Sequence, residues 1–238
     1  MTTTAAPKTA PIWEDFIDIF VSPSEVFTRR RGRGFFVPLL VFTVIVAALT
    51  IGTRSLMQPV YDAVWAQASA QIVKQNPQIT GEQLAKARGM QEKLGPIFAV
   101  VVTPIVVLLT GLVLWLVGKL FDSEQTMGDA MMVSTYSAFP KILFFVAAAL
   151  IALLVDPATI TSQYSVTLGV GHFIDTAAHP ILGAVVGRLD LFTIWVTVLL
   201  ALGLHVTGKV PKTQAAIAAA IIWLLGMLPA LLGAIRQA

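Results

Sequence analysis

The sequence predicts an all-α, polytopic membrane protein. Five transmembrane helices are expected, with an N-terminal interfacial helix and an extramembrane helical hairpin between spans one and two. Three observations predict this. Hydrophobic residues make up 56% of the 238, charged ones only 12%, and the mean hydropathy is +0.81, well outside soluble norms. Five apolar runs have the length that crossing a hydrocarbon core takes, about 20 residues. Prolines, glycines and capping residues punctuate the intervals between them. The net charge of +3 is too small and scattered to point to nucleic acid. The absence of cysteine removes disulfides, thiolate chemistry and cysteine-bound zinc together.

Residues 1–11 read as a mobile Thr-, Ala- and Pro-rich tail, and residues 12–34 as cytoplasmic or interfacial helices. Trp13, Phe16, Ile17 and Phe20 fall at i, i+3, i+4 and i+7 on one helical face, with Glu14, Asp15 and Asp18 mostly on the other. Such a helix lies in the membrane interface, or packs on the protein's own cytoplasmic surface, since anionic headgroups disfavour its acids. Ser22-Pro23-Ser24-Glu25 reads as a capping box with proline at the first helical position. Its helix runs into Arg29, Arg30, Arg31 and Arg33, and Gly32 and Gly34 stop it. Trp13, Phe16 and Phe20, with Arg29, Arg30 and Arg31, are the expected partner- or membrane-binding residues.

The membrane domain fills residues 35–238, with spans at about 35–54, 97–119, 130–155, 190–206 and 213–235. In the outer hairpin, 60–95, Val60, Val64, Ala68 and Ile72 recur at helical spacing and Asn76-Pro77 turns the chain. Thr80-Gly81-Glu82-Gln83 is a second capping box, followed by Leu84, Ala87, Met90 and Leu94 on one face. Span two contains Pro104 and carries Gly111 and Gly118 on one face for close helix contact. Between spans three and four, the stretch from Asp156 to Arg188 is long and unusually apolar for a loop. A tight turn from Gly208 to Lys212 ties span four to span five. The first apolar run has no small-residue cleavage pattern after it, so it is expected to stay as an anchor. The arginines ahead of it place the N-terminus in the cytoplasm and, after five crossings, the C-terminus outside.

Span three carries the most chemistry. Thr126 and Asp129 open it as a cap and an N-terminal acid. From Ala130 to Val155 the sole ionised side chain is Lys141, directly after Pro140, which deprives the Tyr136 carbonyl of its usual partner. An intramembrane charge costs about 3 kcal/mol on insertion scales. Tyr136, Pro140 and Lys141 are therefore the candidate polar or ligand site. Alternatively the lysine snorkels to a headgroup, to Tyr136 or to Asp129. His172, Asp175 and His179, at i, i+3 and i+7, would share a helix face as metal ligands do. The plainer alternative is two loop histidines with a capping aspartate; Gly169, Gly171 and Pro180 crowd the segment, and no metal or cofactor is assigned. The sequence has no nucleophile elbow, phosphate-binding glycine loop or HExxH, so no catalytic residue is named and an enzyme is not expected.

Three stretches carry a family resemblance: Phe20-Val21-Ser22-Pro23-Ser24-Glu25-Val26-Phe27; Ala130 through Lys141; and Leu189-Asp190-Leu191-Phe192-Thr193-Ile194-Trp195 leading into Leu200-Ala201-Leu202-Gly203-Leu204. Together they resemble a prokaryotic member of the Yip family, five-span proteins named for interaction with Ypt/Rab GTPases. In eukaryotes the resemblance implies a cytosolic N-terminus, five spans and work in early secretory traffic through small GTPases and other Yip-like proteins. The long cytosolic N-terminal region and the Asp-Leu-Tyr-Gly-Pro motif of eukaryotic relatives are not in this sequence. What the resemblance implies here is a protein of the bacterial inner membrane.

Two functions from different classes follow. One is a non-enzymatic membrane adaptor or membrane-organising protein, whose partners are lipids and other membrane proteins or a second copy of itself. The other is a small transporter or channel with Lys141 facing a polar path in the kinked third span.

Overall fold

The computed structural model describes residues 11–174 and 179–235. The expected tail, 1–11, lies outside the described residues apart from Pro11, as do Asp175 and Arg236. Every element among the described residues is helical, apart from an isolated antiparallel bridge between Gly169 and Asp190. In chain order they are α1 (Ile12–Val21), α2 (Pro23–Arg30), α3 (Phe36–Gly52), α4 (Gln58–Gln75), α5 (Gly81–Lys119), α6 (Met127–Ser137) and α7 (Pro140–Leu154). Three short 3-10 turns, Pro157–Thr159, Gln163–Val166 and Val170–Phe173, precede α8 (Pro180–Val186), α9 (Leu191–Gly208), α10 (Lys212–Leu225) and α11 (Leu228–Ile235).

Among the described residues, four helical stretches are long and apolar enough to cross a membrane: Val100–Lys119, Met127–Leu154, Leu191–Gly208 and Lys212–Ile235. The expected first span is a shorter apolar helix of 17 residues, Phe36–Gly52. The chain falls into two compact units. One comprises the chain up to Leu40 with Val106–Pro140 and Val196–Trp223; the other comprises Val41–Ile105, Lys141–Trp195 and the chain from Leu224. It passes from one to the other five times, each time inside an apolar helix.

Local signals behave as their chemistry requires. Thr80 and Gln83 exchange both capping hydrogen bonds, at 2.9 and 3.2 Å. Thr126 Oγ1 accepts from the Asp129 amide at 3.1 Å and so caps α6. The Ser22 box does not form, because Ser22 is already committed: its amide closes α1 on the Asp18 carbonyl at 2.7 Å while its own carbonyl accepts from Glu25 and Val26. One residue ends the first helix and starts the second. The turn after α9 is tight, with Lys209 at φ 56.

Three expected boundaries move, each for a reason involving proline or its neighbours. The outer hairpin and span two were expected to separate near residue 95; instead α5 is one helix of 39 residues that runs through Pro96 and Pro104. Its length is roughly 58 Å at 1.5 Å per residue, about twice a hydrocarbon core. Pro96 cannot donate to the Glu92 carbonyl. The Arg54 guanidinium donates to that carbonyl instead, at 2.8 Å. Span three is broken into α6 and α7 at Ala138–Phe139. The Tyr136 carbonyl that Pro140 was expected to free is taken by the Phe139 amide at 3.2 Å, in a tighter turn. Span five is likewise interrupted at Gly226–Met227 ahead of Pro229. The apolar stretch after Asp156, expected as loop, winds into the three 3-10 turns and α8.

Within the first unit, helices approach closely at glycine. A Cβ on Gly111 would stand 2.8 Å from Met131 Sδ, and one on Gly203 would stand 2.2 Å from Val133 Cγ1. Ser134 Oγ donates to the Val107 carbonyl at 2.6 Å across the first of these contacts. In the second unit the core forms around Val60, Ala148, Ala152, Ile160 and Val166.

Candidate functional site

The first unit contains a buried charge cluster built by α1, α2 and α6. Helices α1 and α2 fold back on one another through Ser22, which brings the end of α2 against the first turns of α1. Arg29 Nε reaches Asp15 Oδ1 at 2.6 Å, and Arg29 Nη2 reaches Asp18 Oδ2 at 2.5 Å. Arg30 Nε donates to Asp15 Oδ2, which also accepts from the Tyr136 hydroxyl at 2.9 Å. Asp15 is wholly buried, and its carboxylate takes three donors from two other elements. Two acids face two arginines, so the cluster is charge-balanced.

Burial works against the Arg29 charge, but the hydrogen bonds to Asp18 and Asp15 and their negative charges outweigh it, so its pKa is raised. A charge-assisted set of this kind is strong when complete and costly when broken. Apolar packing surrounds it. Phe16 stacks on Phe139 with ring centroids 5.2 Å apart, and Ile19, Val26 and Phe27 are fully buried.

A second tie follows directly. Gly32 sits at φ +70, a left-handed conformation that suits glycine, and its amide donates to Asp129 Oδ1 at 2.6 Å. Asp129 Oδ2 accepts from Thr126 Oγ1 at 2.7 Å. Asp129, whose amide Thr126 caps at the start of α6, thus also holds the chain leaving α2.

These ties decide which face α1 presents. Trp13, Phe16, Ile17 and Phe20 were expected on one apolar face with the acids on the other. The buried ridge is instead Asp15 and Ile19, while Trp13, Ile17 and Val21 stand out at 60%, 61% and 72% exposure. Phe16 and Phe20 lie between, half-buried. Arg29 and Arg30 turn to Asp15, and Arg31 is exposed.

Tyr136 and Lys141 have different partners. The phenol bonds Asp15, whereas Lys141 Nζ donates to Thr193 Oγ1 at 2.6 Å, stands 3.9 Å from Asp190 Oδ1 and lies over the Phe144 ring. The snorkelling partners expected from sequence, Tyr136 and Asp129, are replaced by a neighbouring helix start. Asp190 caps that start, accepting from the Phe192 and Thr193 amides, both at 3.0 Å. Of the weak metal candidates, His172 ends in a 3-10 turn with Nδ1 2.8 Å from the Ser165 carbonyl, and His179 precedes α8. Asp175 is outside the described residues, and no metal-binding group of three is assembled among those that are described.

Sequence reasoning missed Asp15. The signal was present: acids at 15 and 18, a one-residue Ser-Pro turn, then paired arginines 14 and 15 positions beyond Asp15. A chain that folds back at Ser22 brings these together.

The arrangement holds elements in place; among its residues no nucleophile is paired with a base. A family model described as the Yip1 domain matches residues 17–233. No curated protein and no solved structure matches the chain.

Proposed function

The chain belongs to the Yip1 domain family, and from that premise we propose that it is a non-enzymatic membrane adaptor or membrane-organising protein. In this reading it crosses the membrane five times, Phe36–Gly52 supplying the first crossing. Its N-terminus lies in the cytoplasm, its C-terminus outside, and the membrane is the bacterial inner one. Its working surface is the outward stripe of α1, which binds a lipid surface, another membrane protein or a second copy.

One observation carries the reading. Trp13, Ile17 and Val21 are exposed on a helix whose opposite face is locked by a buried carboxylate and two arginines. Solvating three large apolar side chains in a fixed row is unfavourable by about 1.5–3 kcal/mol for each that burial would cover. A row held rigidly outward is preorganised for a partner.

The test is co-purification. Full-length protein carrying W13S, I17S and V21S is extracted in native lipid beside the unaltered protein, and accompanying proteins are identified by mass. The adaptor reading expects the partners or the second copy to be lost while insertion is unchanged. A transporter or channel working through Lys141 would be insensitive to these changes and would respond to substitutions at Pro140 or Lys141.

A further inference from the structure

The second unit carries a cavity of about 190 Å³ where the end of α3, the first turns of α4 and the middle of α5 come together. Its position along the chain is informative. Arg54 follows the apolar helix α3 by two residues, and Gly95 and Pro96 immediately precede the apolar run of α5. Both walls are thus the points where apolar helices leave their hydrocarbon-matched stretch. Tyr61 and Trp65, one turn apart on α4, line the same space, and these two residue types favour the headgroup level of a bilayer.

The charges in the cavity are polarised. Arg88 bridges Asp62 at 2.5 Å and Glu92 at 2.8 Å, so that group carries two carboxylates against one guanidinium. Arg54 stands on the other side of the ledger with one N–H on the Glu92 carbonyl, leaving the rest of its five-donor fork for an anionic oxygen. Burial lifts the Tyr61 phenol above its usual range while the Arg54 charge pulls it back, consistent with the guanidinium lying close to that ring. Two acids and two arginines sum to zero, with both carboxylates bridged by Arg88 and Arg54 bonded to a main-chain carbonyl.

We propose that this cavity binds the headgroup of a zwitterionic phospholipid of the phosphoethanolamine kind. The phosphate sits on Arg54, as planar guanidinium groups favour. The ammonium sits beside Asp62 and Glu92 and over the aromatic side chains. Exposed Ile51, Ile97 and Phe98, next to the cavity in sequence, receive the acyl chains. An anionic headgroup without an ammonium would leave an uncompensated negative charge beside two carboxylates. The volume suits a headgroup and is below the about 300 Å³ at which drug-sized ligand sites begin. This proposal shares the membrane placement of the adaptor reading but uses none of its N-terminal residues, so either can fail alone.

The test uses full-length protein in bilayer discs of phosphatidylcholine with equal phosphatidylethanolamine and phosphatidylglycerol. After a detergent wash, retained lipid per protein is measured by mass spectrometry. Phosphatidylethanolamine should be retained at least tenfold over phosphatidylglycerol, and R54Q should lower that retention at least tenfold. D62N, at an exposed position, should bring the two lipids within twofold of one another while the protein stays folded. Because Arg54 also holds the Glu92 carbonyl, the D62N result decides the matter if R54Q does not fold. Soluble phosphoethanolamine should displace the lipid and inorganic phosphate at the same concentration should not. Equal retention of both lipids by the unaltered protein, unchanged preference in D62N, or equal displacement by inorganic phosphate would each overturn the proposal.

Discussion

The Tyr136 hydroxyl donates to Asp15 Oδ2 at 2.9 Å across 121 positions of chain. That bond joins the first helix to the α6 half of the third apolar stretch, and the two arginines on the same carboxylate make it part of a closed set. Removing members of the set should have unequal effects. Asp15→Asn removes the fully buried negative charge that Arg29 and Arg30 share and should cost about 3–5 kcal/mol. Tyr136→Phe removes one neutral donor from a carboxylate that keeps two cations and should cost about 1–2 kcal/mol. Thermal unfolding in mild detergent measures both. Equal effects would mean that Asp15 is held by packing alone.

Close approach at Gly203 gives a second prediction. A Cβ there would lie 2.2 Å from Val133 Cγ1, so Gly203→Ala should destabilise by about 1–3 kcal/mol through overpacking. Val133→Ala on the same chain should restore most of that loss. A double variant no better than the Gly203→Ala single would show that the two residues are not in contact.

Lys141→Met should leave the protein inserted and folded, with a change of about 1 kcal/mol or less. The lysine is partly exposed, and Asp190 retains both its amide donors when the ammonium is gone. Size-exclusion profile and melting temperature report the result. Unfolding on this substitution would make the ammonium an obligatory partner of the α9 start.

Much of the fold was legible because its signals are local. The caps at Thr80–Gln83 and Thr126–Asp129 join residues three positions apart, and each forms from local chemistry alone. What escaped depends on distant partners. Pro96 looks like a helix end until Arg54, 38 positions before Glu92, supplies the missing donor. Asp15 looks like a solvated acid on an amphipathic helix until Arg29, Arg30 and Tyr136 surround it. Periodicity located the apolar stripe of α1 but could not say which side of it would be buried. Phe16, Arg29 and Arg30, expected on a binding surface, and Tyr136, expected in a polar site with Lys141, are gathered instead around Asp15, a centre that no local pattern marks.

Orientation is open to direct labelling. A cysteine placed at Gln78 should react with an impermeant reagent added to intact cells, while one placed at Thr28 or Lys212 should react after lysis alone. All three positions are exposed, so protection would report the membrane and not burial. Labelling of Thr28 or Lys212 from outside would reverse the topology.

The central claim is that Asp15 holds α1 so that its outward stripe meets a partner. Site-specific photo-crosslinking from position 17 in living cells measures this most directly, because Ile17 lies in the middle of the exposed row. The account predicts a defined adduct from position 17, to a protein or to lipid, that falls at least fivefold when Asp15→Asn releases the helix. An absent adduct, or one formed equally well in the Asp15→Asn protein, would contradict it.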